Sequence, residues 1–147
     1  MALEVELVSP ERILFSGEAE MVVCRTSDGE IAFLTGHAPF LGALGIGIVR
    51  VHQPGGDVLK AAVHGGFVQV KDNKVIVLSD VAELPDQIDA ARARQSLEDA
   101  QRKLSAGGGA GAGEDGEDAE EEANAQLQRA QVRLELAGQG EAASARH

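Results

Sequence analysis

The sequence of 147 residues predicts an α+β protein in which a β-sandwich or flattened barrel precedes an antiparallel helical hairpin. Up to about Glu83, apolar and polar residues alternate in short runs separated by turn residues, which is typical of a β domain. Beyond Pro85 the apolar residues recur every three or four positions, as on one face of a helix. The glycine-rich run AGGGAGAG at 106–113 divides that helical pattern in two. We therefore place a β domain at 1–84 and a helical domain at 85–147.

Eight or nine short strands account for the first part of the chain. Leu3–Leu7 alternates cleanly, and a second strand begins at Ile13 and is expected to end at Ser16-Gly17. Asp72-Asn73 stands between two strand patterns and predicts a type I′ hairpin turn, because both residue types tolerate a positive φ. The segment Val75–Leu78 is apolar on both faces, as expected of a central strand. Further strand patterns lie at 19–25, 31–34, 46–51, 58–63 and 67–70, and Gly65-Gly66 permits a bulge or a close backbone approach.

A sharp corner is predicted where the strand Ile31–Leu34 meets the sequence Gly36-His37-Ala38-Pro39. Gly36 can adopt a positive φ, and Pro39 disfavours the helical region for the residue before it. Such a corner holds the polar side chain of His37 at a fixed place.

Two helices follow, with Asp86 expected to cap the first and Asp89 in its first turn. Their apolar stripes consist mostly of alanine, so each buries little area and the hairpin should be able to open. The stripes are Ala90, Ala93, Leu97, Ala100 and Leu104 in the first helix, and Ala123, Leu127, Ala130, Leu134 and Ala137 in the second. Between them we expect a glycine- and acid-rich insert at 105–122, whose acidic run 114–122 is a solvated, partly helical linker. Residues 138–147 are expected to form a disordered tail.

Composition excludes several classes of function. The formal charge of −11 disfavours direct binding of nucleic acid or anionic lipid. A single cysteine, Cys24, excludes an internal disulfide and fits a reducing compartment. We find no signal-peptide pattern at the N-terminus and no apolar stretch of the length that spans a bilayer. The histidines are scattered without metal-ligand spacing, so we expect no metal site, no catalytic residues and no enzymatic activity from the chain alone: His37, His52, His64 and His147.

The arginines of the predicted hairpin have two interpretations. Asp89 and Arg92 share a face of the first helix, and Arg129 and Arg133 share a face of the second. If the hairpin closes near residue 112, the three guanidinium groups approach one another and a polyphosphate could neutralise them. Alternatively they are surface arginines paired with Glu98, Asp99 or Glu135, which spacing alone favours.

Several stretches, in one register, carry a resemblance to a known family: SPERILFSGEAEMV (9–22), GEIAFLTGHAPFLGAL (29–44), GIVRV (47–51), HGGFVQVKDNKVIVLSD (64–80) and LQRAQVRLELA (127–137). Together with the IDxxRA pattern at 88–93, they resemble the epsilon subunit of bacterial F-type ATP synthases. The resemblance is interrupted across the insert near 105–122. It implies a ten-stranded β-sandwich followed by a helix-turn-helix.

The same resemblance implies a non-catalytic rotor subunit of the central stalk, which couples proton translocation to ATP synthesis. Its partners would be the gamma subunit and the c-ring, with contacts at Glu30, His37 and Phe40. The C-terminal helices would contact the alpha and beta subunits and inhibit ATP hydrolysis. The complex would lie peripherally on the cytoplasmic face of the bacterial membrane.

In some members of that family the IDxxRA pattern and arginines of both helices bind regulatory ATP, while no cofactor is required. The matching residues here are Ile88, Asp89, Arg92, Arg129 and Arg133. Asp99 stands where ATP-binding relatives carry a basic residue, and a carboxylate there would repel phosphate. The alternative function is therefore a nucleotide-sensing module that binds ATP weakly through the hairpin arginines.

Overall fold

The computed structural model describes the backbone of residues 2–107 and 114–145, and the side chains of 2–105 and 119–138. It consists of two compact units, Met1–Pro85 and Asp86–His147. The first unit is a sandwich of two five-stranded sheets, and the second is a pair of helices. The α+β class and its sandwich-then-hairpin order are therefore confirmed.

Ten strands form the first unit, and their bounds are β1 Leu3–Val8, β2 Ile13–Ala19, β3 Met21–Thr26, β4 Gly29–Leu34, β5 Phe40–Ala43, β6 Ile46–His52, β7 Val58–His64, β8 Phe67–Lys71, β9 Lys74–Leu78 and β10 Ala82–Glu83. One sheet has the order β2-β1-β9-β8-β5, and the other has the order β10-β7-β6-β3-β4. β1 pairs antiparallel with β2 and parallel with β9. β9 therefore lies at the centre of its sheet, between β1 and β8, as predicted.

The core between the sheets is almost entirely aliphatic, because the sequence contains no Trp or Tyr and only four Phe. The first sheet contributes inward side chains such as Leu3, Val5 and Val77, and the second contributes Val22, Val49 and Val63, all at most 1 % exposed. Phe33 is the largest fully buried side chain. Burial of many branched aliphatic residues provides the main stabilisation of this unit.

Of three turn or break sites predicted from the sequence, the structure confirms two and not the third. Asp72 and Asn73 have φ values of 50° and 61°, which confirms the type I′ turn between β8 and β9. Gly66 also makes the predicted close approach, because a Cβ atom there would collide with the carbonyl oxygen of Leu78. By contrast, Ser16-Gly17 does not end the second strand, which continues to Ala19. The ring of Phe15 lies over Gly17, and the absence of a side chain on Gly17 leaves room for this ring within the strand.

The second unit contains α1, Ala90–Gly107, and α2, Glu114–Ala145. Asp86 was the wrong choice of cap, because Pro85–Gln87 forms a 3₁₀ turn and α1 begins only after it. Asp89 caps α1 instead: its carboxylate accepts a hydrogen bond of 3.1 Å from the Arg92 amide.

Both helices extend beyond their apolar stripes. α2 includes the acidic run 114–122, which the sequence assigns to the insert, and continues through 138–145, which it assigns to a tail. Ala, Glu and Gln make up most of both extensions, and they are strong helix formers. Acidic residues near a helix N-terminus also interact favourably with its dipole. α1 continues through Gly107, and the remainder of the predicted glycine-rich linker, 108–113, lies outside the described residues.

The seam between the helices has the predicted alanine character. Ala93 and Ala100 of α1 are buried, as are Ala123 and Ala130 of α2. Methyl groups allow the helices to approach closely but remove little apolar area from water, so packing stabilises this unit less than the sandwich.

The buried thiol of Cys24 predicts a specific alkaline destabilisation. Burial raises the pKa of the Cys24 thiol from 9.0 to about 12. Above pH 9 the unfolded chain releases this proton and the folded chain retains it, so the free energy of unfolding falls as pH rises. We expect a loss of about 1.4 kcal/mol between pH 8 and pH 10 from this group.

Urea unfolding followed by circular dichroism at both pH values measures that loss, and a Cys24→Ala variant is the control because other groups titrate in the same range. An identical pH dependence in the two proteins would contradict the prediction.

Candidate docking site

The corner between β4 and β5 is held by backbone geometry and by one long-range hydrogen bond. Gly36 has a φ of 86°, and the His37 amide donates to the Leu34 carbonyl at 3.1 Å to close the turn. The Gly36 amide donates to Oδ1 of Asn73 at 2.7 Å. The type I′ turn of the β8–β9 hairpin thus fixes the position of the corner.

The corner brings two of the predicted contact residues together. The rings of His37 and Phe40 both lie against Phe33, with centroid distances of 5.0 Å and 5.5 Å. His37 meets Phe33 edge-on, and its Nδ1 lies 2.7 Å from the Ala38 carbonyl. Because Phe33 is fully buried, this ring cluster anchors the corner to the core.

Glu30 lies elsewhere. It is the second residue of β4, whereas the corner follows the last residue, Leu34, so Glu30 and His37 belong to opposite ends of the strand. A carboxylate oxygen of Glu30 accepts from the Arg50 guanidinium at 3.1 Å, and the Glu30 side chain is 57 % exposed. The three predicted contact residues therefore form two separate groups.

The structure also shows an apolar surface that the sequence analysis missed. One cross-strand row on the outer face of the β2-β1-β9-β8-β5 sheet passes through all five strands and contains, in order, Ile13, Val8, Leu78, Phe67 and Ala43. We call these residues the outer-face row. Ile13 is 63 % exposed, Phe67 57 % and Leu78 46 %. In the neighbouring row Leu41 is 72 % exposed.

A signal for this row was present in the sequence. The sequence Val75–Leu78 is apolar on both faces and predicts a central strand. The strand is central in its sheet, and its inward residues Val75 and Val77 are buried. However, the outward residue Leu78 is exposed rather than covered by another layer. The other members of the row come from distant strands, so only the strand pairing reveals them as neighbours.

The opposite end of the same face is charged. Lys71 pairs with Lys74 across β8 and β9, and Lys74 pairs with Glu4 of β1. The Lys74 ammonium lies 3.7 Å from the carboxylate of Glu6. The face is therefore apolar at one end and charged at the other, which gives it a direction that a partner could recognise.

Register places the hairpin arginines near one another along the helix axes. The side chain of Gln126 contacts Ser96, and counting from that contact puts Arg92 level with Ala130. Arg129 lies one residue before Ala130 and Arg133 three residues after it, so both are within one helical turn, which spans about 5.4 Å. This agrees with the closure expected near residue 112.

Arg129 and Asp89 each contact a group of their own helix. Arg129 pairs with Glu122 at 2.9 Å, and Asp89 accepts from the helix backbone. Asp99 pairs with Arg102. Arg129 thus pairs with a carboxylate other than the three named in the sequence analysis. Binding of ATP by Ile88, Asp89, Arg92, Arg129 and Arg133 stays a prediction.

The two other histidines that the structure describes, His52 and His64, lie far apart. His52 and His64 end neighbouring antiparallel strands, so they lie at opposite ends of the β6–β7 pair. Nε2 of His64 is 3.1 Å from the carboxylate of Glu83 and links β7 to β10. His147 lies outside the described residues. Among the residues that the structure describes, no group of His, Cys, Asp and Glu side chains could hold a metal ion.

The architecture is thus a β-sandwich with an exposed apolar row on the outer face of one sheet, followed by a helical hairpin. Two family profiles together match residues 2–138: the ATP synthase delta/epsilon chain beta-sandwich domain over 2–85 and its long alpha-helix domain over 86–138. The chain therefore belongs to the ATP synthase delta/epsilon family, and among its members it is similar to the epsilon chains of F-type ATP synthases.

Individual relatives agree with this assignment. The ATP synthase epsilon chain of Streptomyces avermitilis is 48% identical over 99 residues, which cover 67% of this chain and 80% of the relative. That of Desulforamulus reducens is 43% identical over 104 residues, covering 71% and 78%.

Solved structures support the fold. A chain in the mitochondrial ATP synthase of Euglena gracilis, solved with OSCP, F1 and the c-ring, superposes with a TM-score of 0.75 at 23% identity, covering 91% of this chain and 79% of that one. A chain from the central stalk and c-ring of the Tetrahymena thermophila enzyme gives a TM-score of 0.57 at 14% identity, covering 91% and 97%. In the described part of this chain, no helix has the length and apolar character needed to cross a membrane.

Removing the Asn73–Gly36 hydrogen bond should increase local opening of the corner. Asn73→Gly keeps the positive φ of the turn but removes the acceptor, so the Gly36 amide should exchange with solvent about fivefold to tenfold faster. Hydrogen exchange followed by NMR measures this rate.

Asn73→Asp is the matched control, because it retains both an acceptor oxygen and tolerance of the turn conformation. Equal exchange of the Gly36 amide in the two variants would show that the hydrogen bond does not hold the corner.

Proposed function

We propose that this chain is a non-catalytic subunit of the central rotor stalk, where it couples proton translocation to ATP synthesis by connecting other subunits. The observation that carries this proposal is the outer-face row: a folded sheet exposes Ile13, Leu78 and Phe67 side by side. Contiguous exposed apolar residues on a soluble domain mark interaction surfaces, since exposure to water is unfavourable for them.

The gamma subunit is the proposed partner of this row. The large side chains Phe67 and Leu41 have the character of interface anchors, and the charged end with Lys71 and Lys74 provides a polar rim. Because the sheet beneath the row is tightly packed, it presents these anchors in a fixed arrangement. A rotor connection that transmits torque requires such rigidity.

The Glu30 end of β4 is the proposed contact with the polar loops of the c-ring. Its carboxylate is more than half exposed yet oriented by Arg50, so it can accept a further hydrogen bond without rearrangement. The corner with His37 and Phe40 is the proposed second stalk contact. These contacts would hold the chain peripherally at the cytoplasmic face of a bacterial membrane, without insertion into the bilayer.

The helical hairpin is the proposed regulatory part. Its alanine seam buries little apolar area, so the cost of separating α1 from α2 is small compared with that of opening the sandwich. Separated helices would expose the seam alanines for contacts with the alpha and beta subunits. Such contacts would obstruct rotation and so inhibit ATP hydrolysis.

Phe67→Asp tests the docking surface. A carboxylate buried in an apolar interface without a partner is unfavourable, so affinity for an F1 sector that lacks this chain should fall by about 2 kcal/mol or more, roughly thirtyfold in Kd. Titration calorimetry with the reconstituted F1 sector measures the change.

Val58→Asp is the matched control, because Val58 is an exposed apolar residue on a strand of the other sheet and gains the same charge. The gamma proposal would fail if both variants bound as tightly as the original chain.

Truncation after Glu83 tests the regulatory part. Synthase assembled with residues 1–83 should hydrolyse ATP several-fold faster than synthase with the full chain, because the inhibitory helices are missing. Rates are compared at equal subunit stoichiometry, with proton pumping as the control for coupling. Unchanged hydrolysis with intact coupling would remove the hairpin from regulation and leave the β-sandwich as the whole function.

A further inference from the structure

A polar network crosses the alanine seam of the hairpin. The side-chain amide nitrogen of Gln126 donates to both the backbone carbonyl and the hydroxyl of Ser96, each at 3.1 Å. The amide oxygen of Gln126 accepts from the ammonium of Lys103, also at 3.1 Å. One side chain of α2 thus binds two residues of α1 through both ends of its carboxamide.

The network borders the buried alanines of the seam: Gln126 and Ser96 are half-buried, and Lys103 is exposed. Ser96 and Lys103 are seven residues apart, so they share one face of α1, and the buried Ala100 lies between them. On α2 the buried residues Ala123 and Ala130 lie three positions before and four positions after Gln126. The polar contacts therefore connect the helices beside these buried alanines.

The network specifies the register of the two helices more strongly than the methyl contacts beside it do. Methyl-to-methyl contacts are similar in neighbouring registers, so an alanine seam alone specifies neither register nor closure strongly. A carboxamide with all its contacts satisfied specifies one register. When the helices separate, the amide, hydroxyl and ammonium groups can all be hydrated, so the contacts can break and form repeatedly without leaving a buried unpaired group.

We infer that Gln126, Ser96 and Lys103 form a closure latch that sets the register of the hairpin and the fraction of molecules in which it is open. The latch is a positioning device, and its regulatory meaning rests on the proposed function of the helices. In the complex, the latch determines how readily α1 and α2 separate.

Gln126→Met tests the latch in the full chain, since methionine keeps the length and helix propensity of glutamine but has no amide. Amide hydrogen exchange over 90–105 and 119–138 measures the open fraction. We expect exchange in both helices to accelerate about tenfold. Gln128→Met is the matched control, because Gln128 is exposed on the same helix, and it should leave exchange unchanged.

Equal or slower exchange in Gln126→Met than in Gln128→Met would overturn the latch, because the seam would then close by packing alone. Lys103→Met adds a second criterion. If the two side chains act together, combining it with Gln126→Met should accelerate exchange less than the product of the single effects. Fully multiplicative effects would overturn the part assigned to Lys103.

Hydrolysis by the assembled synthase separates this inference from the proposed function. If Gln126→Met opens the hairpin and lowers hydrolysis, the latch and the inhibitory role of the helices both stand, because separated helices are proposed to inhibit. If exchange accelerates while hydrolysis matches that of the Gln128→Met enzyme, the latch stands and the regulatory role of the helices fails. If exchange does not accelerate, the latch fails whatever the hydrolysis rate.

Discussion

The pairing of β9 with β1 on one side and β8 on the other is the interaction on which the rest of the sandwich depends. It directs Val75 and Val77 into the core and places Leu78 between Val8 and Phe67 on the outside. The turn that begins β9 supplies Asn73, whose side chain holds the corner at Gly36. Core, outer-face row and corner are therefore consequences of one strand register, and a shift by one residue would exchange the core and outer side chains.

The two units are stabilised in different ways, and this difference suits their proposed roles. The sandwich buries branched aliphatic side chains, which have well-defined rotamers. Truncating one of them leaves a cavity and lowers the free energy of unfolding. The hairpin buries mainly methyl groups and relies on hydrogen bonds of Gln126 that water can replace. A platform that transmits torque needs the first kind of stability, and helices that separate under control need the second.

Of the proposed docking site, the corner at Gly36–Pro39 could be predicted from the sequence, because it is formed by neighbouring residues. The residues of the corner predict a fixed His37, and the structure shows this ring against Phe33 and Phe40. The outer-face row could not be predicted, because its members come from five strands and become neighbours only through their pairing. The helix cap shows the same limit at short range: Asp86 and Asp89 are chemically equal candidates, and the 3₁₀ turn at Pro85 decides between them.

By itself, the sequence determined the fold class, the turn at Asp72-Asn73, the corner and the alanine stripes, because each follows from local conformational preference or from the period of apolar residues. Only the tertiary structure decided which strands are adjacent, which apolar residues remain exposed, and which polar side chains meet across the hairpin. These depend on contacts between residues far apart in the chain, such as Ser96 with Gln126. Local preferences leave such contacts open, and burial and hydrogen bonding in the assembled fold determine them.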